Sequence, residues 1–402
     1  MIPTKLAFVA TPPGSSLQKG DALGMVIGAI PLPAIAISLL ATNRVPELLS
    51  ASIFLCAVLC MLYMALNAKY LHRPLFVFFP MFVLSIFYFL DTINNPTENG
   101  IKHAVAISCV IAIIAFYINF SSILLRSNIF RSALLIEAMA LVGAGMLGLN
   151  QKNFDMGAVL YASCTAYYLY IYDKPHQKRI FSSLLFFVFL SYLGISYDFR
   201  ALIYLSFTIF GLFTIFNVAQ YNRFRPLLMF TFLISAMSLF FYFYIHIDDF
   251  EITQQLNLLT QDKTGRQLTS GRQDLWPFIL DYAMNTPIYG AGGGVLPKDF
   301  LSADFSSHNY YLQLFLQKGL IGLFLIFIFT MNIWNLMNRA QWGDARVNFS
   351  ASVFLAFLVH NVTEVLMFQN ALMVSIPAWI VISFGAAEPL ETARNALPSF
   401  RA

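Results

Sequence analysis

The feature that most limits what this chain can fold into is the recurrence of apolar runs long enough to cross a bilayer. A hydrocarbon core about 30 Å thick asks for roughly 20 apolar residues per helix, with shorter runs tolerated by tilt and snorkelling. By that measure twelve segments qualify, at about 23–42, 48–66, 74–90, 104–121, 132–149, 156–172, 180–197, 200–218, 226–246, 311–337, 349–367 and 371–387. Continuous runs of this kind predict helices, because the strands of an outer-membrane barrel would alternate apolar with polar residues and turn more often. The expected fold is all-α, a polytopic transmembrane helical bundle of about 12 spans.

Composition closes the alternatives. With 58% hydrophobic residues, 11% charged residues and 41 Phe in 402, too little polar surface exists to cover a soluble globule. The net charge of +4 does not point to nucleic acid, because the 24 basic residues are scattered between apolar runs and read as topology signals. Cys56, Cys60, Cys109 and Cys164 all lie inside apolar runs and are expected to pack as small hydrophobes, with no disulfide or zinc spacing. The first 21 residues lack a small-residue cleavage site, so an uncleaved first span is expected rather than a signal peptide.

Lys and Arg set the orientation. With a cytoplasmic N-terminus, fifteen basic residues fall in cytoplasmic segments, and four, Arg44, Lys102, Lys152 and Arg200, fall in the short outer loops. The positive-inside rule then puts both termini in the cytoplasm and residues 247–310 on the outer face, the periplasm of a bacterium, with the inner membrane as the location. One integral membrane domain, 1–402, carrying one long, partly helical periplasmic loop, 247–310, is the simplest partition. A connection of that length is expected to be functional or independently structured. Within it, Ser270 can cap a helix that begins at Gly271, with Gln273 at the reciprocal position and Leu275, Phe278, Ile279 and Tyr282 recurring at helical spacing.

The polar residues gathered in and around this loop are the candidates for chemistry. Arg272 and Arg266 offer guanidinium forks for phosphate oxygens, or equally partners for Asp262, Asp274 and Asp281. Arg200 stands against the charge bias at an outer helix start and needs a partner, with Asp198 at hand, or a wet cavity. His308 can take a proton from a hydroxyl near neutral pH, at the point where the loop re-enters the membrane. Gly290, Gly292, Gly293 and Gly294 either present backbone amides to an anion or make a turn. Lys318 and Glu364, like His360, are ionisable groups at the edge of spans, open to a substrate role or to helix-tying pairs. No cluster has metal-ligand spacing.

The order of Gly271, Arg272, Trp276, Pro287, Gly290, Gly292, His308, Asn309, Gly319 and Gly322 resembles the signature region of the O-antigen ligase and polymerase superfamily. There a Gly-Arg leads an amphipathic segment with Trp, followed by Pro and Gly, then His-Asn before a Gly-Leu-Ile-Gly helix entry. Arg200-Ala-Leu is similar to the family's Ser-Arg-Gly-Ala-Leu entry, although Asp198-Phe199 replaces the small residues. The resemblance implies a GT-C-like, metal-independent and cofactor-free glycosyltransferase, with undecaprenyl diphosphate-linked glycan as donor and a hydroxyl of the lipid A core as acceptor. It implies His308, Arg200 and Arg272 as catalytic residues, and Arg266, Asn309, Trp276, Gly292, Lys318 and Glu364 join them as substrate-binding residues. A polymerase that joins repeat units on the same carrier would use the same parts; total length and a single dominant loop favour the ligase. A lipid-linked sugar transporter is the third reading, against which stand the absence of a repeat and the gathering of polar groups at one face.

The layout has a direct test. A reporter active only in the periplasm is expected to be active when fused after Asp262 and inactive after Arg179; the opposite pattern would overturn the orientation.

Overall fold

The computed structural model describes residues 19–30, 46–68, 75–94, 96–147, 154–172, 176–196, 199–218, 225–247, 272–301, 306–339, 344–368 and 372–387, with short pieces between 250 and 262. Among them no strand occurs. The helices are α1 (Lys19–Ala29), α2 (Pro46–Leu66), α3 (Phe79–Asn94), α4 (Glu98–Leu124), α5 (Asn128–Leu147), α6 (Phe154–Tyr172), α7 (His176–Ser196), α8 (Arg200–Val218), α9 (Arg225–Ile245), α10 (Arg272–Ala283), α11 (Tyr310–Asn338), α12 (Ala345–Thr363) and α13 (Leu372–Ala387). Each expected apolar segment overlaps one of these. Six stretches, Phe76–Asn94, Glu98–Ser121, Arg200–Val218, Pro226–Tyr244, Tyr310–Asn338 and Ala345–Thr363, are long and apolar enough to cross a membrane. The larger number of crossings rests on the sequence pattern alone.

α4, α6, α12 and α13 form the centre. α13 packs against α4, α6 and α12, and α12 packs against α8. Trp379 of α13 is fully buried, with the rings of Phe329, Phe354, Phe357 and Phe368 between 5.5 and 6.3 Å from its own. The four cysteines are free and buried in this apolar packing, as their placement in the runs predicts. At the other extreme, only 6% of the α9 stretch is buried, so this helix shows hydrocarbon to its surroundings nearly all round, as a lipid-facing helix must.

Side-chain contacts sort the helix ends into two groups, as alternating crossings require. At one end Arg131, Tyr172 and Arg346 stack, with each guanidinium carbon 4.8 Å from the tyrosine ring centre. At the other, Tyr204 of α8 meets Thr363 of α12 with 2.6 Å between hydroxyls, and His103 of α4 lies 3.1 Å from the carbonyl of Gly293.

The segment 286–301 does not stand away from the bundle as a free loop; it folds into a break in α11. Gly319 takes φ 58 and ψ −154, which divides that helix into a short N-terminal rod, Tyr310–Lys318, and a longer remainder. Breaking a helix frees carbonyls before the break and amides after it, and each left unpaired costs free energy in an apolar surround. Here Ala291 and Gly292 donate to the carbonyls of Leu316 and Gln317 at 2.7 and 3.3 Å, while Leu320 and Ile321 donate to Pro287 and Ile288 at 2.8 and 3.2 Å. The approach is close enough that a Cβ on Gly319 would lie 2.5 Å from Ile288 backbone atoms. Gly319→Ala combines a left-handed backbone with that overlap and should cost about 2–4 kcal/mol of stability, read as a lowered melting temperature of the purified protein in detergent.

Candidate active site

α10 is described from Arg272; the expected start, Gly271, and its proposed cap, Ser270, lie outside the described residues. The buried face differs from the expected one: Gln273, Trp276, Ile279 and Ala283 turn inward, while Phe278 is 64% exposed. Trp276 decides the rotation. Its indole N–H donates to the carbonyl of Ser307 at 2.8 Å, and its ring sits 5.3 and 4.8 Å from those of Phe241 and Tyr244 on α9. A buried indole needs both an apolar seat and an acceptor. Trp276 thus fastens α10 to the backbone immediately before His308 and is too enclosed to meet a substrate.

His308 sits where the chain turns into α11. Its φ of 45 is the one positive value at a non-glycine residue among those described, a conformation that persists only where the surroundings impose it. On one side Ser307 is anchored by Trp276; on the other the Asn309 side chain accepts from Leu312 N at 3.0 Å and caps the helix. Asn309 is therefore spent on holding the turn.

Opposite His308, α12 ends at Thr363, and Glu364 leaves the helix with an extended backbone. One carboxylate oxygen accepts from Arg272 Nη2 at 3.0 Å, and the other lies 3.0 Å from His308 Nδ1. These links join residues 92 and 56 positions apart. A carboxylate at a helix C-terminus meets the negative end of the helix dipole, so this one depends on its cationic partners. Burial by itself pushes the Glu364 carboxyl up, but the hydrogen bond from His308 and the charges of His308, Arg272 and His360 outweigh it and hold it below the usual carboxylate range. An ionised carboxylate can only accept, so Nδ1 of His308 carries the hydrogen, and in the neutral imidazole the lone pair is on Nε2. The His308 side chain is 39% exposed, which leaves that lone pair reachable.

Arg200 is exposed at the first position of α8, with no ion pair among the described residues. One turn on, Tyr204 bonds to Thr363 and lies within electrostatic reach of Glu364 and Arg272. Residues four apart share a helix face, so Arg200 lies on the face of α8 that carries Tyr204, one turn nearer the helix start. Arg272 and His308 thus both contact Glu364. Arg266 lies outside the described residues.

For two further candidates the contacts favour the structural alternative. The amides of Gly290, Ala291, Gly292 and Gly293 donate to Thr286, Leu316, Gln317 and Asp91, so the glycine run plugs the helix break and does not form an anion nest. Lys318, at the far end of the short rod, pairs with Asp91 of α3 and does not face the Glu364 cluster.

Beside the cluster runs an apolar groove of about 430 Å³. Met237 and Phe241 of α9, Leu280 of α10, Asn309, Tyr311, Phe315, Leu323 and Phe327 of the α11 region, and Leu358 and Val362 of α12 line it. Ionisable side chains thus lie at helix ends beside a hydrocarbon-lined groove, in a chain whose long apolar helices mark a multi-pass membrane protein. Residues 184–327, which include Arg200, Arg272 and His308, match the family model described as O-antigen ligase. No curated protein matches the chain.

Because the folded pKa of Glu364 is depressed, its contribution to stability is complete above the ordinary carboxylate value and is lost as pH falls through the lowered one. Acidification below about pH 4 should therefore lower the melting temperature of the wild-type protein more than that of Glu364→Gln. Identical acid profiles would remove the charge role assigned to Glu364.

Proposed function

We propose that the chain is an O-antigen ligase, a glycosyltransferase that moves a glycan from undecaprenyl diphosphate to a hydroxyl of the lipid A core at the periplasmic face of the inner membrane. The observation that carries this reading is the double contact of Glu364 with Arg272 and His308, inside and beside the segment that matches the family. The prenyl chain would lie along the apolar groove, with its diphosphate at the helix ends above.

In this mechanism His308 Nε2 accepts the proton of the acceptor hydroxyl as its oxygen attacks the anomeric carbon. The new C–O bond forms as the bond to the diphosphate breaks, and the anomeric centre inverts. The leaving group departs already ionised, so it needs charge stabilisation more than a proton. Arg272, which gives Glu364 a single hydrogen bond, has other N–H groups to offer, and Arg200 at the start of α8 supplies a second fork. Glu364 holds the imidazole in the tautomer this requires.

Purified protein supplied with lipid-linked glycan and core acceptor in detergent should transfer glycan, which a transporter cannot do without a sealed membrane. His308→Ala should lower turnover about 10²- to 10⁴-fold with donor binding nearly unchanged. Arg272→Lys and Arg200→Lys keep the charge but lose the planar fork, and activity should fall severely. Full activity in all three variants would overturn the assignment. Deleting the gene separates the two family activities on a lipopolysaccharide gel: loss of all capped core marks a ligase, and a core carrying one repeat unit marks a polymerase.

A further inference from the structure

The polar cluster at the lower end of the short rod Tyr310–Lys318 has no part in the mechanism above. Lys318 Nζ, on a side chain 5% exposed, ion-pairs with Asp91, donates to the carbonyl of Phe87 at 2.9 Å and lies 4.4 Å from the centre of the Tyr88 ring. The same Asp91 oxygen accepts from Gly293 N at 2.9 Å. Tyr88 donates to Gln317 Oε1 at 2.7 Å, and Gln317 Nε2 donates to the carbonyl of Val295 at 3.0 Å. One turn of α3 therefore grips both the end of the rod and the segment that plugs the helix break. α3 lies outside residues 184–327.

The rod is about 13 Å long, with His308 just beyond one end and Lys318 at the other. Gly319, which has no Cβ to restrict it, is the joint about which the rod could swing. At that length a pivot of about 5° displaces His308 by about 1 Å, and a 1 Å misplacement can cost about 10²-fold in rate. We propose that the Asp91–Lys318 pair is the lock that sets the angle of this rod, so that Lys318 and Asp91 are positioning residues that align His308 with Glu364 and do not themselves bind substrate. The inference rests on the proposed glycan transfer for its kinetic readout alone.

The test compares Lys318→Met, Asp91→Asn and the double variant in the purified full chain. Asp91→Asn strands the buried charge of Lys318, and Lys318→Met leaves the half-exposed Asp91 carboxylate without its partner; both should lower thermal stability, the first more, whereas the double change removes both charges and should restore most of it. Turnover should stay about 10²-fold down in all three, with the donor KM within about threefold of wild type. If turnover returns with stability in the double variant, the pair is a structural tie only and the proposal fails. Hydrogen exchange supplies a readout independent of activity: the amides of Ala291 and Gly292 should exchange at least about tenfold faster in all three variants. Wild-type exchange there would overturn the lock even in a protein that transfers no glycan. Faster exchange with no transfer by the wild-type protein would keep the lock and sink the ligase reading instead.

Discussion

Everything at the functional end of this protein depends on how a broken helix is kept satisfied. In an apolar surround the amides and carbonyls released at Gly319 have no water to turn to, and an open break would be worth several kcal/mol against the fold. The chain supplies the missing partners from its own segment 287–292, whose four bonds close the gap from both sides. The break then permits a short helix to end where His308 is needed, and Trp276 ties α10 to the backbone just before it. Gly290 and Gly319 are both required by contact: a Cβ on either would lie within 2.5 Å of the opposite backbone.

A second constraint follows at Glu364. Its position at a helix end and its partial burial both disfavour charge, and the charge is recovered only because Arg272 and His308 arrive from two other elements. A carboxylate placed so unfavourably contributes little to the fold by itself, and hydrophobic packing of similar volume would serve the bundle as well or better. What it does supply is orientation. It sets the histidine tautomer and holds one arm of an arginine whose remaining donors stay available, which are the needs of a site that must handle a proton and an anion together.

Much of this was legible in the sequence, and the limits of that reading have physical causes. Apolar runs gave the helices because hydrocarbon length is a strong constraint on composition, and α10 was found because its polar flanks interrupt that pattern. Its buried face was misjudged, since periodicity counts Leu275, Phe278 and Tyr282 alike and cannot see that Trp276 has an acceptor in Ser307. His308 and Arg272 stood out by type and place. Their meeting at Glu364 did not, because a contact across 92 residues leaves no local trace. Asp91 drew no attention at all: a single acidic residue near the end of a span looks like an interfacial charge until Lys318 is found against it. The glycine run invited an anion, yet its amides are turned to carbonyls freed more than twenty residues later.

The break in α11 also bears on the choice between an enzyme and a transporter. Transporters break helices near the middle of the membrane so that unwound carbonyls and half-helix ends can face an ion or a substrate. In this protein the carbonyls of Leu316 and Gln317 and the amides of Leu320 and Ile321 are already taken, and the charge of Lys318 is met by Asp91. Groups bonded internally in this way are not available to a cargo. The candidate polar groups are elsewhere, at the helix ends: His308 and Arg272, which meet at Glu364, and Arg200, which has no ion pair among the described residues. Ionisable groups gathered at one face, beside a groove lined by Phe241, Phe315, Leu323 and Phe327, support the proposed reaction on a lipid head group over the transporter reading.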